Sequence, residues 1–288
     1  MKPARRYEPY LMLLPTLGLL TLFFLYPLLV AARESFYSWD LLTPRRFVGG
    51  SNYRVLWERG ELTRALLNTL CYSAVVVGGS IVLGLAFALL LDRPGKLVAF
   101  VRSAVFSAYV VSWVSVSLLF MLLLDADLGL VSRLVVALGL PRKNWLGDPS
   151  FALMTLAVVS VWKITGYAMI IFLAGLKDIP PVLHEAAALD GASSAVRFWR
   201  VTWPLLKPSA MFVGTTSLII SFQAFDVVRI MTQGGPVHAT ELFVYAIYEQ
   251  IFMNLRVGRA SALVVVFSVF ILGLTALQLW VWRARGAE

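Results

Sequence analysis

"PPVLHEAAALDGASSAVRFWRVTWPLLKPS", Pro180 to Ser209, is small-residued, charged and broken by a glycine, yet it stands between two apolar runs of membrane length. Pro180 and Pro181 suit the first turn of a helix, where a missing N–H costs little. "VLHEAAALD" then reads as roughly two turns, and Gly191 is placed to end them in a left-handed conformation. A second helix can restart at "ASSAVRFWRV", with Ser193 or Ser194 as its N-cap. Trp203–Pro204 and Lys207–Pro208 are expected to limit that helix before the next crossing begins. The stretch is thus a helical hairpin at a membrane face. It is either a docking element or an amphipathic segment that closes a loop.

The rest of the chain is mostly apolar. Of 288 residues, 59% are hydrophobic and 14% charged, with a mean hydropathy of +0.80. Soluble domains carry about 25% charged residues, so composition places this chain in a membrane. Its net charge of +9 sits between apolar runs, which fits membrane flanks and anionic lipid and argues against nucleic acid. A helix needs about 20 apolar residues to cross the hydrocarbon. Six segments qualify: Leu11–Ala32, Ala65–Leu91, Leu97–Leu124, Phe151–Leu176, Ser209–Met231 and Ala260–Trp282. The expectation is an all-α, polytopic membrane protein with about six transmembrane helices in one domain over residues 1–288. Lys2, Arg5 and Arg6 favour an N-terminus on the inner side. Four crossings then place the 177–208 loop in the cytoplasm, and six return the C-terminus there. Tyr10, Tyr37, Trp39, Trp280 and Trp282 fit an interfacial belt or ordinary packing. Ser80, Gly84 and Ala88 form a small-residue face that admits a neighbouring helix. "LGLVSRLVVALGLP", ending at Pro141, carries a short amphipathic pattern between the third and fourth segments.

Catalytic chemistry finds little to work with. The single cysteine, Cys71, forms no intramolecular disulfide, and two distant histidines, His184 and His238, make no zinc-type cluster, so no metal site is expected. No G-x-x-x-x-G-K-[ST] phosphate loop occurs, so nucleotide would have to act elsewhere. An integral-membrane enzyme gathers acids, histidines or metal ligands at one depth, and no such constellation is visible. An ion-driven secondary transporter, with its inverted repeats, is the less favoured alternative, and ATP dependence of uptake separates the two.

"EAAALDGA" followed by "RVTWPLLKP" resembles the EAA loop of the membrane subunits of ATP-binding-cassette importers. Glu185, Ala186, Ala187 and Gly191 match that family's pattern, and Trp203–Leu206 matches its close, although Trp203 replaces a smaller aliphatic residue. "NWLGDP" at Asn144–Pro149, "LAGLKDIP" at Leu173–Pro180 and "GGPVHAT" at Gly234–Thr240 resemble the sugar and glycerol-3-phosphate branch. The resemblance implies a type I importer permease fold in the inner membrane. It implies a second homologous permease subunit, two ATPase subunits holding ATP-Mg, and an external solute-binding protein, with no cofactor in this chain. Coupling would fall on Glu185, Ala186, Ala187, Ala188, Asp190 and Gly191. The solute is expected to be a sugar or sugar-like polyol, or alternatively glycerol-3-phosphate or a glycerophosphodiester. Its pathway would include Tyr167, Ser217, Ser221, Lys163 and Gln223. Serine back-bonding to the helix and a bond from Lys163 to a partner are equally open for those polar residues.

Overall fold

The computed structural model describes residues 8–285, with side chains from Tyr10 to Ala276. Lys2, Arg5 and Arg6, on which the inner N-terminus rests, and the side chains of Trp280 and Trp282 lie outside the described residues.

Two compact units are present. The first holds the residues up to Thr63 together with those from Ala246 onward. It opens with α1 (Glu8–Leu20), a wide π turn (Thr21–Leu25) and α2 (Tyr26–Glu34), which together make a span from Tyr10 to Glu34. A two-residue ribbon, β1 (Tyr37–Ser38) against β2 (Arg46–Phe47), and α3 (Ser51–Glu58) follow. A second π turn, Glu249–Met253, leads to α14 (Val257–Arg285), which packs on α2 and α3. Asn52 ties the connection down by donating to the carbonyls of Ser35 (2.8 Å) and Tyr37 (2.9 Å). The guanidinium of Arg45 lies 4.3 Å over the Trp39 ring while bonding the buried Glu34 at 2.8 Å, so Trp39 is a packing residue.

The second unit, Arg64–Tyr245, carries the site. Most of α4 (Glu61–Leu91) belongs to it, followed by α5 (Lys96–Val110), α6 (Trp113–Leu123), the short α7 (Leu130–Ala137) and α8 (Ala152–Lys177). Then come α9 (Pro181–Leu189), α10 (Ser194–Arg197), a π turn (Phe198–Thr202), α11 (Trp203–Phe222), α12 (Asp226–Met231) and the first half of α13 (Phe243–Tyr248). Helix α8 is the hub of this unit. Ile164, Ala168, Met169 and Phe172 are fully enclosed, and Ala88 and Val213 from α4 and α11 pack in the same cluster. The small-residue face of α4 does what its spacing predicts. Ser80, Gly84 and Ala88 are buried, and a Cβ on Gly84 would lie 2.5 Å from that of Ala168. Lipid removes the hydrophobic driving force between helices, so this close backbone approach supplies van der Waals contact, beside the 2.6 Å hydroxyl bond between Tyr72 of α4 and Ser160 of α8.

All-α architecture holds, apart from the two-residue ribbon. Two segment boundaries are corrected. The third apolar run is not one helix: α5 and α6 meet at a 101° bend. The second arm of the hairpin does not stop at Trp203–Pro204 or Lys207–Pro208 but continues from Ser194 to Phe222 as one 29-residue span, ending before Met231. The π turn explains its survival. A proline clashes with the carbonyl four residues back and donates no hydrogen bond. Just before Pro204 the helix widens, with Trp203 N–H reaching back five residues to the carbonyl of Phe198, and this π geometry lets the chain take the proline without stopping. Tyr26 does the same with Thr21 ahead of Pro27. Aromatic–proline therefore marks a widened turn in both spans, not a stop.

Candidate functional site

Two features of the second unit bear on function: the exposed hairpin and a polar cleft on the same sequence-connected helices. The hairpin begins as predicted, with Pro180 as N-cap and Pro181 at the first helical position. Its end is a Schellman motif. Gly191, at φ +75°, donates to Ala188 (3.1 Å), and Ala192 donates to Ala187 (3.0 Å). Ser193 caps the restart by accepting from Val196 N–H at 3.4 Å. Neither α9 nor α10 buries a residue. Glu185, Ala186, Ala188, Asp190 and Gly191 are exposed and Ala187 half-buried, with Leu189 89% and Trp199 64% exposed beside them. A folded, capped lever whose apolar side chains have no cover is shaped to be held by something else.

The bend between α5 and α6 is built around Lys163. Its ammonium donates to the carbonyls of Ala108 (3.3 Å), Tyr109 (3.0 Å) and Val111, and it lies 5.0 Å from the Trp113 ring centroid. Lys163 is buried in α8, and the neighbouring Tyr167 stacks on Tyr109 with centroids 4.9 Å apart. The Ser221 hydroxyl lies 2.8 Å from both the Leu218 carbonyl and the Ser73 hydroxyl, sharing its one proton with them or accepting from Ser73, and so joins α11 to α4. Ser217 is fully buried and its hydroxyl has no partner among the described residues. Gln223, the C-cap of α11, is exposed.

Beside the bend lies a cleft of about 250 Å³ lined by Trp113, Ile220, Gln223, Ala224, Phe225, Asp226 and Val227. Of the five residues expected along a solute path, Gln223 alone lines this cleft; Lys163 and Ser221 are engaged in helix–helix bonds. The cleft exists because α11 stops at Phe222 and restarts at Asp226, while α6 restarts at Trp113. Sequence reading missed Trp113. Its only signal was Ser112, a residue type that favours helix starts, inside an unbroken apolar run.

The "GGPVHAT" segment forms a tight loop on α4. Thr232 and Thr240 share a hydroxyl bond of 2.7 Å, Thr240 donates to the Gly235 carbonyl at 2.6 Å, and Asn68 donates to the carbonyls of His238 and Glu241. Thr69 accepts from Phe243 N–H at 2.9 Å, anchoring the end of the loop. Thr240→Val removes both hydroxyl bonds and is expected to loosen this loop by about 1–2 kcal/mol without changing the spans. Faster hydrogen exchange over residues 232–242, and nowhere in α8, is the check.

Comparison with known proteins bears on the fold and the family. The chain is 32% identical over 277 residues to the sn-glycerol-3-phosphate transport system permease protein UgpA of Yersinia enterocolitica, covering 94% of this chain and 92% of the relative. It is 30% identical over 277 residues to the sulfoquinovosyl glycerol transport system permease protein SmoG of Agrobacterium fabrum, covering 96% and 90%. A chain of a bacterial ABC transporter that imports the acidic polysaccharide alginate shares the fold, with a TM-score of 0.82 at 22% identity over 96% of each chain. Residues 80–285 match the family described as binding-protein-dependent transport system inner membrane component, and this chain belongs to that family.

Proposed function

We propose that this chain is the membrane-spanning half of an importer for a polyhydroxylated solute, with its exposed hairpin seated in a separate ATPase subunit. The observation that carries the reading is the hairpin itself: glycine-capped, alanine-rich, unburied, and attached to a chain with no phosphate-binding loop. Family membership supports a multi-pass place in the inner membrane and dependence on an external binding protein. A second homologous permease, two ATPase subunits carrying ATP-Mg, and cytoplasmic chain ends complete the arrangement we infer. Helix α11 is the transmission. Because α10 runs without a stop through the π turn into the span, a push on Glu185, Ala186, Ala187, Ala188, Asp190 or Gly191 reaches Gln223 at the far end as a rigid-body displacement.

The cleft favours hydroxyls over anions. Trp113 offers an aromatic face, Gln223 an amide and Asp226 a carboxylate, the groups that stack on and hydrogen-bond a sugar or glycerol moiety. Its lining among the described residues holds no basic side chain, and the ammonium of Lys163 already faces three carbonyls. The relatives named above carry glycerol-3-phosphate and sulfoquinovosyl glycerol, both with a glycerol portion. We read this chain as the hydroxyl-recognising side, with any phosphate or sulfonate met by the partner permease. In reconstituted complex, Asp226→Asn is expected to raise KM about ten-fold for a hydroxyl-bound solute, the loss of one charge-assisted hydrogen bond. A lower KM for glycerol phosphate in that variant would mean that Asp226 had been repelling an anion bound in this cleft, and would sink the assignment. Uptake that proceeds without ATP would sink the importer reading as a whole.

A further inference from the structure

We propose that Lys163 is a positioning residue whose ammonium holds the break in the third crossing open and thereby sets Trp113 on the wall of the cleft. Sharp helix bends have few causes: proline, Gly/Ser pairs, π bulges, or a side chain inserted into the hydrogen-bond ladder. The sequence through the 101° bend, "SAYVVSWVS" from Ser107 to Ser115, has no proline and no glycine, and Ser112, the serine at the break, makes no side-chain cap bond to the helix it precedes. No π turn lies there either. The inserted side chain is Lys163, reaching from α8.

Its chemistry fits the task. An ammonium has three N–H donors and no acceptor. Here it meets three carbonyls, those of Ala108, Tyr109 and Val111, at the end of α5. These are the groups a helix C-terminus leaves without donors, and they form the negative end of its macrodipole. In hydrocarbon each unmet carbonyl costs several kcal/mol, and a lone buried cation is equally unwelcome. Each problem answers the other. The Trp113 and Tyr109 rings, 5.0 and 5.9 Å from the nitrogen, cover the remaining faces of the charge. With methionine at 163 the carbonyls lose their donors, and the lowest-cost way to satisfy them is to continue the helix through Val111 and Ser112, which swings Trp113 away from Gln223 and Asp226.

The test reads the bend directly. Spin labels are attached to cysteines at Phe100 and Leu122, both exposed, in the assembled transporter with Cys71 replaced by serine. At 1.5 Å rise per residue, a 101° bend separates these positions by about 21 Å, and a continuous helix by about 33 Å. Lys163→Met is expected to move the distance distribution toward the longer value and to raise KM at least ten-fold. Lys163→Arg, which keeps a cation and its donors, is expected to retain the short distance with KM within about three-fold. Failure of the Met variant alone to accumulate, with the Arg variant normal, supports the same claim, since a solute ligand is not needed for assembly. An unchanged distance in the Met variant overturns it, whatever happens to transport. The link to transport rests on the cleft being part of the solute path: a lengthened distance with unchanged KM overturns that link and leaves the bend assignment standing, while loss of ATP dependence bears only on the importer reading.

Discussion

Replacing Gly191 by leucine is expected to lower ATP-driven uptake about ten-fold or more while leaving the amount of permease in the membrane unchanged. Gly191 sits at φ +75°, where a side chain costs about 1–2 kcal/mol, equivalent to roughly a five- to thirty-fold loss of the native turn. Nothing lies within 4 Å of the position a Cβ would take, so no core is disturbed. What changes is the turn: the bonds from Gly191 to Ala188 and from Ala192 to Ala187 loosen, and α9 loses its fixed angle to α10. Because α10 continues into the 29-residue span, a mis-set lever transmits less of the stroke. Gly191→Asn separates this cause from simple bulk, since asparagine tolerates the left-handed region, and it is expected to keep uptake within about three-fold. Normal uptake in the leucine variant would contradict the coupling role of the turn.

Gly166→Ala is expected to do the opposite: to lower the stability of the folded transporter and leave the coupling hairpin untouched. A Cβ there would lie 2.3 Å from the Val105 carbonyl oxygen and 2.8 Å from Phe106 Cα, both backbone atoms of α5 that cannot rotate aside. The helices must separate, and the separation pulls Lys163 from the carbonyls at the end of α5. Overpacking of this kind costs about 3 kcal/mol or more, which for a domain this size lowers Tm by about 10 °C. Gly214→Ala is the control. Its nearest neighbours, Ile81 Cδ1 at 3.6 Å and Val77 Cγ1 at 4.0 Å, are at ordinary contact, and alanine is the better helix former. A Tm for Gly166→Ala equal to that of the control would show that α5 and α8 are not in rigid backbone contact.

How legible the molecule was in its sequence depended on whether the deciding signal was local. The hairpin was legible because every device in it is local: Pro180 and Pro181 at the start, Gly191 at the turn, Ser193 at the restart. The small-residue face of α4 was legible for the same reason. The bend between α5 and α6 was not, because its cause is Lys163, more than fifty residues further along the chain, while hydropathy runs through Val110–Val111 unbroken. Lys163 drew notice as a membrane-buried charge, yet its carbonyl partners belong to tertiary structure that no periodicity encodes. Proline misled in the other direction. Pro204 and Pro208 read as helix limits, but a π turn absorbs the first, so the span keeps its length. Trp113 and Asp226 share a cleft only because two helices break at neighbouring points, which again needed three dimensions.

Which protein holds the hairpin decides whether this chain is an importer subunit. A photoreactive cross-linker placed on a single cysteine at Ala187 or at Leu189, in the Cys71→Ser background of the intact transporter, asks that question directly. The expected product is a nucleotide-binding ATPase chain joined to the permease, with a yield that changes when ATP is added. Adducts to lipid or to an extracytoplasmic protein alone, or labelling of these positions by an impermeant reagent added outside the cell, would contradict it.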